Sequence, residues 1–161
     1  MDPFSVTVGI VSTLDVCTRT VTFLREVRKG ASTVDQEIDG VRTDIEAIET
    51  AVAVLNNLYN TISTRDEGSQ VLSSGPTGLA WKRLVGLLPR CEATIAKLQL
   101  LFSEILDVRL PKAAQKFESL VKSLRKHSRE NEYLALKGEL QSYVVTLQML
   151  LAALQAYEDL C

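Results

Sequence analysis

The chain has 161 residues, of which 46% are hydrophobic and 24% charged, with only 4 prolines and 8 glycines. A chain of this length forms one domain that buries roughly two thirds of its surface, and the composition excludes a disordered tail. The net charge of −2 and the pI near 5.5 argue against a strong global pull towards nucleic acid or an anionic membrane.

Cys17, Cys91 and Cys161 are far apart and odd in number, with no Cys-x-x-Cys or Cys/His pairing. This is the pattern of reduced thiols in an intracellular protein, not of a disulfide framework. The start, Met-Asp-Pro-Phe, has no basic n-region, so a secretory leader is not expected. No run of 18 apolar residues exists, so an ordinary transmembrane helix is not expected either.

The first predicted helix covers residues 3–29. Asp2 can cap it, and Pro3 suits the first helical position. Val6, Ile10, Leu14, Cys17, Val21 and Leu24 recur at spacings of three or four. Arg25, Arg28 and Lys29 precede Gly30, as a helix C-terminus favours. The second helix covers 33–63, with Thr33 and Gln36 as a capping box. Its ladder is Val34, Ile38, Val41, Ile45, Ile48, Val52, Leu55, Tyr59 and Ile62, a spacing that no strand produces.

Residues 64–78 are polar and rich in Gly and Ser, and read as a long surface loop. The third helix, 79–110, carries Trp81, Leu84, Leu88, Cys91, Ile95, Leu98, Phe102 and Ile105 on one face. Pro89 falls inside that ladder and predicts a kink or a restart. A shorter basic segment follows at 112–127, with Ala113, Phe117, Leu120, Val121 and Leu124 as its apolar face. The last helix, 131–160, presents Leu136, Leu140, Tyr143, Leu147, Leu150, Leu154 and Tyr157, widened by Val144 and Leu151. These elements predict a single all-α domain over 1–161, an up-down bundle of four long helices plus the basic segment.

No catalytic constellation is present. The sequence has no HExxH, no GxSxG, no Walker loop and no Rossmann fingerprint. Its one histidine, His127, stands among Lys126 and Arg129 and reads as a solvated side chain. Glu-x-x-His pairs for a metal site are missing, and Cys17 and Cys91 hold core spacing. The expectation is a protein that binds, with no enzymatic activity, no metal and no cofactor.

Two segments stand out. Residues 3–14 carry no charge, and Asp15 with Arg19 is the first ionised pair. Phe4, Val6, Val8, Ile10, Val11 and Leu14 are therefore candidates for insertion into a bilayer, with Ser, Thr and Gly between them costing little there. The second segment, 112–129, holds Lys112, Lys116, Lys122, Arg125, Lys126 and Arg129 against Glu118. These six are candidates for binding anionic lipid or an acidic partner. A solvated helix facing the acidic start of helix two (Asp35, Glu37, Asp39, Asp44, Glu46, Glu49) is the other reading of that charge.

The opening Met-Asp-Pro-Phe-Ser-Val-Thr-Val-Gly-Ile-Val-Ser-Thr-Leu-Asp-Val-Cys, followed by Phe-Leu-Arg-Glu-Val-Arg-Lys-Gly-Ala, resembles the HeLo-like N-terminal domains of fungal STAND (NLR-like) receptors. The Ile/Leu ladder at 38–58 and the leucine-rich close at 143–154 are also similar. The resemblance implies a cell-death or incompatibility effector whose first helix is released on activation and perforates the plasma membrane after oligomerisation. By position that role falls on residues 4–14. It also implies a cytoplasmic resting state, recruitment to the plasma membrane, and anionic lipid with self-association or receptor helices as partners. The alternative is an adaptor or oligomerisation module that joins helical faces within a receptor complex.

Overall fold

A computed structural model describes residues 3–30, 36–64, 74–105 and 120–159. The described residues form five helices: α1 (Pro3–Gly30), α2 (Gln36–Ser63), α3 (Gly75–Ile105), α4 (Leu120–Lys126) and α5 (Glu130–Glu158). Four of them are long and pack as an all-α bundle.

Each ladder forms a helix because its apolar side chains return to one face every three or four residues. In α2, every ladder residue from Ile38 to Ile62 is buried. In α3 the same holds from Trp81 to Ile105. At the base of the bundle the rings of Tyr59 and Trp81 meet edge to face, with centroids 5.5 Å apart. Near the opposite end, Phe102 packs on Tyr133 at 5.9 Å.

Two expectations for α3 need correction. The helix starts at Gly75, one turn earlier than residue 79. Gly75 takes φ +67°, which a glycine adopts without strain, and Pro76 follows in the first turn, where its missing N–H is harmless. Thr77 and Gly78 are already buried, so core contact draws this turn into the helix. Nor does the helix restart at Pro89. Pro89 is exposed, and the ladder on the opposite face carries α3 past it. At the other joint, Ser128 takes φ +55°, and the amide of Arg129 reaches back to the Leu124 carbonyl at 2.9 Å. That left-handed residue ends α4 and turns the chain into α5.

α1 packs on α2 and on α3; α5 also packs on α2 and on α3. The two pairs α1/α5 and α2/α3 are therefore the diagonals of a square. Hydrogen bonds give the directions. Ser12 bonds Glu92 and Thr20 bonds Gln99, so α1 and α3 run parallel. Glu37 accepts from both Tyr133 and Lys137, each at 2.7 Å, on the parallel α2/α5 edge. The connection from α2 to α3 lies mostly outside the described residues, at 65–73, and with it most of the loop expected over 64–78.

The α2/α5 edge also makes stability depend on pH. Hydrogen bonds from Lys137 and Tyr133 hold the Glu37 carboxyl below its ordinary value of 4.5. A carboxyl depressed on folding adds stability that is present above 4.5 and lost as pH falls through the lower folded value. Asp44, pushed up by burial, works in the opposite sense. We expect Glu37→Gln to flatten the acid limb of a plot of thermal midpoint against pH, and Asp44→Asn to steepen it.

Candidate membrane-active surface

The six insertion candidates of α1 divide between two faces. Val6 and Ile10 are fully buried, whereas Val8 is 49% and Val11 58% exposed. Leu14 is half-buried against the core. Phe4 lies on the α1 backbone, and its side chain is outside the described residues. The resting bundle thus offers two valines to solvent and keeps the other contacts in the groove between α2 and α3.

The two ends of α1 are held differently. Towards α3, Gly9 lies over Leu88, and Ser12 donates to Glu92 at 2.8 Å. Thr20, itself fully buried, donates to Gln99 at 2.9 Å. Towards α2, Thr18 donates to Glu49 at 2.6 Å. Thr13, also buried, bonds the Gly9 carbonyl of its own helix. Among the described residues, ion pairs from α1 to another helix occur only near its C-terminal end, where Arg25 pairs with Glu46 and Arg28 grips both oxygens of Asp39 at 3.0 Å. The first twenty-odd residues of α1 are therefore seated by apolar contact and hydroxyl bonds, and its last turns by ion pairs.

By length and composition, Ser5–Lys29 is the one described helix that meets the requirement for a membrane span, and less than half of its most apolar stretch is buried. It has no uninterrupted run of 18 apolar residues. Serines, threonines and the Asp15–Arg19 pair, 3.0 Å apart, break the run without removing the overall apolar character.

A gap under Leu88 makes a further test possible. A Cβ added at Gly9 would stand 3.5 Å from Leu88 Cδ1, an ordinary contact. Gly9→Ala is expected to raise stability by about 0.5–1 kcal/mol, because glycine inside a helix loses more backbone freedom than alanine. Chemical denaturation measures this directly.

The basic candidates fare unevenly. Lys112 and Lys116 lie outside the described residues. Arg125 pairs with Glu130 at 3.4 Å, and Arg129 pairs with Glu104 at 3.1 Å and with Glu132. Lys122 and Lys126 are exposed. His127, also exposed, has Nδ1 2.8 Å from the Ser123 carbonyl oxygen. In the acidic start of α2, Asp39 is matched by Arg28 of α1 and by Arg42 of its own helix, Glu46 by Arg25 of α1, and Glu37 by Lys137 of α5. The two arginines of the basic segment thus find their acids on α3 and α5.

The sequence reading missed a second set of cations. Lys82, Arg83, Arg90 and Lys97 are exposed on α3, and none makes an ion pair among the described residues. Their signal was the seven-residue spacing of Arg83, Arg90 and Lys97, which returns a side chain to nearly the same stripe. The reading also missed the outward face of α5, where Leu134, Val145 and Met149 are 54%, 55% and 68% exposed.

Burial pushes the Cys17 thiol far up and the Cys91 thiol up to about 12, so both stay protonated at neutral pH. Among the described residues, no group of three His, Cys, Asp or Glu converges as metal ligands would. No protein-family model, curated protein or solved structure matches the chain.

Proposed function

We propose that this protein is a non-enzymatic, membrane-acting effector of cell death, in which α1 leaves the groove between α2 and α3 after activation or oligomerisation and enters a bilayer. The observation that carries the reading is the character of α1. It is long and apolar enough to span, and among the described residues its first two thirds are joined to other helices by hydrogen bonds from neutral hydroxyl donors, beside apolar packing. Such bonds are worth about 1 kcal/mol each, and somewhat more when a carboxylate accepts. The ion pairs near Lys29 leave the C-terminal end as the natural pivot. Dye release from lipid vesicles tests the reading. Release by the intact chain supports it; a folded chain that releases no dye at any lipid composition refutes it.

A second reading is an adaptor module that joins copies of the chain. It is favoured by the outward face of α5, where residues 140–157 hold no charge and Leu134, Val145 and Met149 face solvent. Light scattering over a concentration series separates the two, since the adaptor associates without lipid.

A further inference from the structure

Between Leu79 and Leu100 the exposed face of α3 carries charge of one sign, on Lys82, Arg83, Arg90 and Lys97. These four span 16 residues of one helix, about 22 Å from first to last at the usual helical rise. Arg83, Arg90 and Lys97 repeat every seven residues and so form a single row. The row is bracketed by two exposed leucines, Leu79 at 52% and Leu100 at 59%. Between Leu79 and Leu100 α3 carries a single acid, Glu92, turned towards α1 to accept from Ser12. From α5, Glu139 accepts from the buried Thr94 hydroxyl at 2.8 Å. Farther along, Glu104 is held by Arg129.

We propose that this row is the docking face for the anionic headgroups of a lipid bilayer. The assignment rests on charge complementarity and shape. Four cations lie on the exposed side of one continuous helix, and their apolar stems and flanking leucines suit the boundary between headgroups and acyl chains. An acidic protein would need its own matched row of carboxylates, whereas a charged leaflet offers anions at any register. The inference rests on the membrane reading above and adds what brings the bundle to the surface. Since α1 runs parallel to α3 and beside it, docking through α3 sets the α1 groove at the leaflet before α1 moves.

Each basic residue near an anionic leaflet contributes about fivefold in affinity, so the four together amount to roughly several hundredfold. The test is co-sedimentation of the full chain with vesicles of phosphatidylcholine, with and without about one third phosphatidylserine, near 0.1 M salt. The variant Lys82→Gln, Arg83→Gln, Arg90→Gln, Lys97→Gln alters only exposed side chains and should keep its helicity and thermal midpoint. We expect it to lose at least about a hundredfold in binding to the anionic vesicles. Lys122→Gln with Lys126→Gln should lose far less. Equal binding of the intact chain to neutral vesicles, unchanged binding by the fourfold variant, or binding to soluble polyglutamate but to no vesicle would overturn the proposal. Dye release is scored separately on the same vesicles. Normal docking without release leaves this site standing and removes the insertion reading; release that ignores the fourfold change does the reverse.

Discussion

Val8→Glu combined with Val11→Glu is expected to abolish dye release while the bundle stays folded. Both valines are about half exposed or more, and surface changes of this kind usually stay within about 0.5 kcal/mol in stability. In a bilayer the same two side chains face hydrocarbon, where each charge costs up to about 3 kcal/mol at the centre of a span. The existing charges, Asp15 and Arg19, already neutralise each other at 3.0 Å; two new carboxylates have no such partner. We expect at least a tenfold fall in release rate, with unchanged circular dichroism and thermal midpoint. Ile10→Glu is the contrasting case. Ile10 is fully buried, so that change unfolds the protein and says nothing about membranes. Undiminished release by the double valine variant would remove α1 as the inserting element.

Trp81→Ala is expected to cost about 3–5 kcal/mol of folding stability, the range for a large buried aromatic cut back to a methyl. Trp81 is fully buried and meets Tyr59 edge to face at 5.5 Å. Among the described residues its Nε1–H has no hydrogen-bond partner, and the buried Thr77 hydroxyl one turn before it has none either. An unmet buried donor already costs about 1–3 kcal/mol. Trp81→Phe removes that donor and keeps an aromatic ring, so it should cost far less than its lost volume alone implies. Urea denaturation of the three proteins gives the comparison. A Phe variant as unstable as the Ala variant would mean that the indole N–H is satisfied in solution.

What the sequence made legible follows from how each feature is encoded. The ladders of α2 and α3 are local and periodic, and all their described positions are buried. On α1, the same spacing rule separates Val6 and Ile10 from Val8 and Val11 only when the register is read as a helix, because in sequence all four belong to one apolar run. Partner choice was not legible. Glu37 finds Tyr133 and Lys137 nearly a hundred residues away, and nothing local distinguishes that from a pairing with Lys122 or Arg125. Counting charge in linear windows drew the eye to 112–129 and past Arg83, Arg90 and Lys97, which lie too far apart for any short window. At Pro89 the sequence could not tell a kink from a restart, and the restart is excluded by the buried ladder that continues from Leu88 through Cys91.

The parallel placement of α1 beside α3 has a consequence for synthesis. Ser12 and Thr20 lie 80 and 79 residues before their α3 partners. At about 5–20 residues per second, α1 waits roughly 4–16 s on the ribosome before those partners exist. During that interval only α2 can shelter it, through an antiparallel hairpin with Arg28 on Asp39 and Arg25 on Glu46 near its turn. The nascent chain therefore passes through a stage in which an apolar helix lies half covered, its C-terminal end tied and its α3 side open. Local contacts form before distant ones, so the groove closes on the α3 side last.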